Sequence, residues 1–313
     1  MISLRQHAVS IAAIFLALAI GVVLGSQTLA ADLLSGLRSD KAALREQVDD
    51  LTERNQRLTE QADAADRFIA GSAGRILGGV LADRSVIVFT TPDADPADVE
   101  AVGNGLAIAG ASVTGRIALE DAFLDAAEGD RLRTALTNTI PAGAQLRTGG
   151  VDQGSLAGDL LGLTLLLDPA TGQARTSPQE LALVLETLRG GGFLAYGDTP
   201  APAQLAVLVT GDGAAAGENA RGANAARFAG ALRGRGAGVV VAGRAGAAEG
   251  QGPLAVVRGD SALTAVLTTV DNLDREIGRV TAVLGLSEQL GGGAGRYGTG
   301  ARATSLTLVA LPG

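Results

Sequence analysis

The chain has 313 residues, no cysteine, one histidine (His7), one methionine (Met1) and a formal net charge of −8 at pH 7. Those counts exclude a disulfide framework, a zinc–thiolate site and, beyond residue 7, any Ser-His-Asp, Cys-His or histidine–zinc centre. The acidic balance argues against a nucleic-acid partner, and the missing catalytic set predicts a protein that is not an enzyme and holds no cofactor.

From Ala8 to Gly25 run 18 residues without a charge, Ser10 being the one polar side chain. As a helix this segment is roughly 27 Å long, close to the hydrocarbon thickness of a bilayer. Arg5 and the α-amino group precede it, and Asp32 is the first charge after it. That asymmetry predicts a cytoplasmic N-terminus, with everything from about Ser26 onward outside. A cleaved signal peptide is the alternative, with Thr28-Leu29-Ala30 as a small-x-small site, but the apolar core exceeds the usual ~7–15 residues. Both readings put the body outside the cytoplasm. Residues 1–31 thus form a tail and a single-pass cell-membrane anchor.

Residues 32–70 read as a coiled-coil stalk. Leu37, Leu44, Leu51 and Leu58 repeat every seven residues as d positions. Leu34, Lys41, Val48, Asn55, Ala62 and Ile69 are then the a positions, a pattern long enough to specify a coiled coil. Polar a residues fix register and strand number, and Asn55 favours a parallel homodimer in which Asp40 at g faces Arg45 at the partner's e. Leu37, Leu44, Val48, Leu51, Asn55 and Leu58 are the candidate partner-binding residues. A solitary amphipathic helix packed on the body, or pairing with a different coiled coil, remains open.

Glycines between Gly71 and Gly79 suggest a hinge over 71–81 before a body at 82–313. In the body, Ser85–Thr90 reads as a buried strand. Asp95-Pro96 is an N-cap with proline at the first helical position, opening a helix to about Ala109. Ser112–Ile117 reads as a strand and Asp130–Asn138 as a helix. The apolar run Leu156–Leu167 fits helix or strand. Ser177-Pro178-Gln179-Glu180 is a capping box opening a helix that ends at Gly190. Phe193–Tyr196, Leu205–Thr210, Val239–Ala242, Leu254–Val257 and Ser305–Leu311 read as strands, with helices near Asn219–Arg233 and Arg275–Leu290. The alternation predicts an α/β fold with a largely parallel sheet, in one core or two.

Candidate sites in the body are sparse. Asp93, Asp95 and Asp98 cluster, but without the glycine and distal glutamate of a calcium loop, so helix capping is the simpler reading. Gly211-Asp212-Gly213 with Gly217 stands where a phosphate-cradling loop would, without the acidic residue expected after the next strand; a glycine-rich turn explains it equally. Thr269-Val270-Asp271-Asn272 forms a cap-rich turn before a helix. Gly295-Arg296-Tyr297-Gly298 is a glycine-rich loop carrying one of only two tyrosines.

The anchor, the adjoining coiled coil, the TVDN turn (Thr269, Val270, Asp271, Asn272) and the G-x-Y-G loop (Gly295, Tyr297, Gly298) together resemble the actinobacterial MctB family over nearly the whole chain. Its members are known as mycobacterial copper transport proteins, and the corynebacterial relative SteB is associated with daughter-cell separation. Arg296 stands where such loops often carry histidine. The resemblance implies copper handling at the envelope. By way of SteB it also implies a SteA-like companion and a peptidoglycan hydrolase whose coiled coil would meet the stalk. Copper sites recruit thiolate, thioether or imidazole, which the body lacks, so the expectation drawn from the residues is an adaptor that recruits or activates a cell-wall hydrolase. Copper transport by a homo-oligomer is the alternative.

Overall fold

The computed structural model describes residues 4–147 and 152–308, in two compact units, Met1–Ala65 and Asp66–Gly313. Helix α1, Leu4–Leu77, contains the apolar stretch Arg5–Gly25, whose mean hydropathy is 2.7 and whose side chains are unburied. Among the described residues this is the one helix long and apolar enough to cross a membrane. The expected glycine hinge at 71–81 is instead helical to Leu77, with turns only over residues 78–83. Glycine inside a helix costs roughly 1 kcal/mol against alanine; here Ile69, Ala73 and Leu77 pack into the core of the second unit and offset that cost.

The body follows in chain order as β1 (Ser85–Thr90), α2 (Pro96–Ile108), β2 (Ser112–Leu119), α3 (Asp121–Leu124), α4 (Gly129–Asn138), α5 (Gln153–Leu165), α6 (Pro178–Gly190) and β3 (Leu194–Tyr196). Then come β4 (Leu205–Val209), α7 (Arg221–Arg233), β5 (Gly238–Ala242), α8 (Pro253–Gly259), α9 (Ser261–Thr264), β6 (Thr268–Val270), α10 (Glu276–Leu290) and β7 (Arg296–Tyr297). The seven strands form one sheet in the order β3-β2-β1-β4-β5-β6-β7, parallel throughout except for β3 at one edge. The α/β expectation holds.

Period-two alternation builds both faces. Ile87 and Phe89, Ala206 and Leu208, and Val239 and Val241 enter one core with helices α3 to α8, where Phe228 meets Phe89 and Phe123 edge-on at 5.2 and 5.3 Å. Val86 and Val88, Leu205, Val207 and Val209, and Val240 enter the other core with α2, α10 and the end of α1. Strands buried on both faces read as continuous apolar runs, which is why β1, β4 and β5 are visible in the sequence. The capping box stands as expected: Glu180 N donates to Ser177 Oγ and Ser177 N to Glu180 Oε2.

Two expectations are corrected and one left open is resolved. Leu254–Val257 lies in helix α8, not a strand, because Pro253 presets the first helical turn and Leu254 and Val257 share its buried face. The apolar run at 156–167, open to helix or strand by its sequence, is helical to Leu165. In place of a strand at Ser305–Leu311, a single bridge joins Ser305 to Tyr297, and residues 309–311 lie outside the described set.

Candidate functional site

The TVDN turn and the G-x-Y-G loop are both partly strand. β6 and β7 pair in parallel, Thr269 opposite Arg296 and Val270 opposite Tyr297, so motifs distant in sequence meet. At their carboxyl ends sits Asp271, which is fully buried. Its Oδ1 accepts the amides of Thr299 at 2.6 Å and Gly300 at 3.0 Å, and its Oδ2 accepts Arg258 Nη1 at 2.5 Å. Arg258, with its side chain at 0% exposure, also donates to the carbonyls of Tyr297 (2.8 Å) and Ala301 (3.1 Å) and to Thr269 Oγ1 (3.0 Å). Burial pulls the Arg258 pKa down and the Asp271 hydrogen bond and charge oppose it.

The glycines are sterically required here. Gly298 has φ +123°, and a Cβ on it would strike the Asp271 carboxylate; one on Gly295 would strike the Tyr297 ring. The Tyr297 hydroxyl donates to Glu288 Oε1 at 2.7 Å, and burial followed by that carboxylate raises its pKa. Glu288 Oε2 in turn accepts Thr268 Oγ1 and the Gly295 amide. Asn272, 4% exposed, packs its backbone against Gly278 of α10, where no side chain would fit. The motif residues therefore form a buried lock that holds β6, β7, α8 and α10 together, in which the buried Asn272 Oδ1 is left without a hydrogen-bond partner.

A second locus is open. Strand order reverses between β1 and β4, and in doubly wound sheets the crevice at that switch point is where ligands bind. A cavity of about 200 Å³ lies there, walled by Pro92, Leu124, Ala216, Ala225 and Pro253. Thr91, Asp93, Asp121, Thr210 and Arg221 are its polar lining. The Gly211–Gly213 turn does not cradle a phosphate: Asp93 Oδ2 accepts the Gly213 amide at 3.0 Å, and Gly211 lies against the Asp93 carbonyl. A carboxylate of the chain itself occupies that place. Arg221 Nη1 and Nη2 bind Asp121 (2.7 Å) and Asp125 (3.2 Å), leaving Nε without a partner. Asn219 hydrogen bonding and the Ala127 amide hold Asp125 below the ordinary carboxylate range.

The remaining acidic cluster is spent on structure. Asp95 caps α2 through the Ala97 amide, which lowers its pKa, and pairs with Arg244. Asp98, 1% exposed, binds Arg244 at 2.7 Å and Arg279 at 3.3 Å. Among the described residues no group of three His, Cys, Asp or Glu side chains is arranged to hold a metal ion.

On α1, Leu37, Leu44, Val48, Leu51 and Leu58 are 59–65% exposed, and Asn55 is also exposed. The side chain of Leu34 lies outside the described set. Ile69, expected as the last a position, packs into the second unit instead. There Asp66 Oδ1 accepts the Glu276 amide and Oδ2 binds Arg275 at 2.8 Å, supplying the cap that Arg275 itself does not give α10. Sequence reading missed Arg258, Glu288, Thr210 and Arg221; an arginine ending the apolar run Leu254–Val257 was the one signal for the first.

A sequence profile described as "Copper transport outer membrane protein, MctB" matches residues 1–308. The chain is 44% identical over 314 residues to "Copper transporter MctB" of Mycobacterium tuberculosis (strain ATCC 25618 / H37Rv), covering 98% of this chain and 99% of that one. It is 45% identical over 315 residues, with the same coverage, to the protein of that name from Mycobacterium leprae (strain TN). The TVDN turn and G-x-Y-G loop thus lie within an end-to-end likeness, and the chain belongs to the MctB family.

Proposed function

We propose that this protein acts in copper transport across the cell envelope, as a membrane-anchored, non-enzymatic component that works in an assembly. The observation that carries this is the 44–45% identity, over 98% of the chain, to relatives named for copper transport. Residues 5–25 anchor it, with the N-terminus cytoplasmic and the body outside, as the flanking charges direct. Copper is the cargo. The body is an open sheet with helices on both faces, and it carries no cysteine, histidine or methionine. A copper path would therefore run between copies or through a partner, with carboxylates and water as the donors this chain supplies. Cellular copper in a strain lacking the gene, measured by mass spectrometry after a copper challenge, tests this reading. Altered copper, restored by the full chain, supports it, and unchanged copper refutes it.

A second reading is favoured by one observation, the exposed leucine seam from Leu44 to Leu58. An unpartnered heptad face is a surface for a coiled-coil partner, whether a second copy or the coiled-coil segment of a peptidoglycan hydrolase, with a SteA-like companion at the membrane. Under it the stalk recruits the hydrolase for daughter-cell separation. Chained cells at normal copper content, in a strain carrying Leu44→Asp with Leu51→Asp and membrane levels of protein intact, would select this reading over the first.

A further inference from the structure

We propose that the switch-point crevice between β1 and β4 binds a small organic monocation, an amine joined to a compact apolar body. Size, wall chemistry and charge each point there. A cavity of about 200 Å³ exceeds the ~150 Å³ that holds benzene in an engineered protein core, so it has room for a ring and a short polar arm. Leu124, Ala216, Ala225, Pro92 and Pro253 offer that ring an apolar wall.

Thr210 supplies the second, independent observation. It lines the cavity at 1% exposure, yet its Oγ1 has no hydrogen-bond partner. A buried hydroxyl left unpaired is costly, and one that lines a cavity offers its hydrogen bond to whatever enters that cavity. The backbone at the mouth is strained as well: Asn219 and Ala220 have φ of +45° and +58°, unusual for residues with a Cβ, immediately before Arg221.

Charge selects the sign of the ligand. Asp93 and Asp121 line the cavity, and Asp125 shares Arg221 with Asp121, so three carboxylates meet one guanidinium. Asp93 already fills the glycine turn that an anion would use. The lining thus carries more negative than positive charge, which disfavours phosphates and carboxylates and attracts an ammonium group. Thr210 Oγ1 is free to accept from that group, and the unpartnered Arg221 Nε is free to donate to a neutral acceptor on the same ligand.

The test uses the full chain in detergent micelles with labelled alanine, leucine and threonine methyl groups, titrated with three isosteres: benzylamine, benzyl alcohol and benzoate. Saturable shifts at the Thr210, Ala216 and Ala225 methyls with benzylamine, several-fold weaker with the alcohol and absent with benzoate, are expected. Thr210→Val should weaken benzylamine about tenfold, as loss of one hydrogen bond predicts. It should leave the unfolding temperature at or above that of the parent, since the hydroxyl it removes is unpaired. Asp121→Asn, at a side chain 64% exposed and so safe for folding, should narrow the preference for amine over alcohol. Benzoate binding as tightly as benzylamine, shifts that do not saturate at these methyls, or an amine preference unmoved by Asp121→Asn would overturn the proposal.

Discussion

Asp271→Asn tests whether the motif residues are a structural lock. Asp271 and Arg258 are both at 0% side-chain exposure, so the substitution leaves a guanidinium buried with only the neutral acceptors Tyr297 O, Ala301 O and Thr269 Oγ1. Breaking a buried pair by removing one charge costs about 3–5 kcal/mol. The asparagine NH₂ adds to this, since it must face Arg258 or the amides of Thr299 and Gly300, all of them donors. At about 2–4 °C per kcal/mol for a domain of this size, the unfolding midpoint should fall by roughly 6–20 °C. There is no tryptophan, and Tyr297 sits beside the site, so near-ultraviolet circular dichroism of the full chain follows the transition. The double variant Arg258→Met/Asp271→Leu sharpens the test. Simple buried ion pairs tolerate hydrophobic replacement. Here the swap would orphan the amides of Thr299 and Gly300 and the Ala301 carbonyl at about 1–3 kcal/mol each, while the Tyr297 carbonyl keeps the backbone amide of residue 271. The double variant should therefore be no more stable than the single. A loss below about 1 kcal/mol for Asp271→Asn, or a double variant as stable as the parent, would refute the reasoning.

Four further outcomes are expected. Gly298→Ala, at φ +123° and against the Asp271 carboxylate, should cost about 3 kcal/mol in urea unfolding. Ser177→Ala removes the hydroxyl that caps α6 and should cost about 1 kcal/mol by the same assay. Burial raises the Asp159 pKa, but hydrogen bonds from Arg235 and the Arg147 amide outweigh it and hold the group below 3.8. A depressed carboxylate stabilises the fold above its unfolded pKa and loses that contribution as pH falls through the folded value. Melting temperature should therefore drop between about pH 5 and pH 3, more steeply in the parent than in Asp159→Asn. Leu51→Asp should abolish any coiled-coil dimer seen by light scattering; an oligomer that survives it does not form through this seam.

Much of the fold was legible because its causes are local. Ser177 and Glu180 bond to each other's backbone within one turn, and Asp95 with Pro96 sets its own helix start, so composition at fixed offsets is enough. Strands buried on both faces announced themselves as apolar runs. What failed was tertiary. The Gly71–Gly79 stretch stays helical because Ile69, Ala73 and Leu77 find a core, which no local signal records. Leu254–Val257 has too few residues to show a period. The two motif segments read as loops because β6 and β7 are short and each is a strand only through the other.

The site was legible in the same uneven way. The TVDN and G-x-Y-G residues stood out by type, yet the groups that give them purpose, Arg258 and Glu288, lie on helices whose contacts the sequence does not reveal. Their arrangement argues that the motifs secure architecture, because a carboxylate holding two amides and a buried guanidinium has no capacity left for cargo. Asp95 and Asp98 are likewise satisfied by Arg244 and Arg279. Groups placed to bind something new lie elsewhere as well: the exposed seam leucines, and Thr210 Oγ1 with Arg221 Nε at the switch point. Neither is a soft metal-binding group. Variants at the seam or the crevice should therefore separate assembly and ligand binding from folding, whereas variants at Asp271 or Gly298 should lower stability and function together.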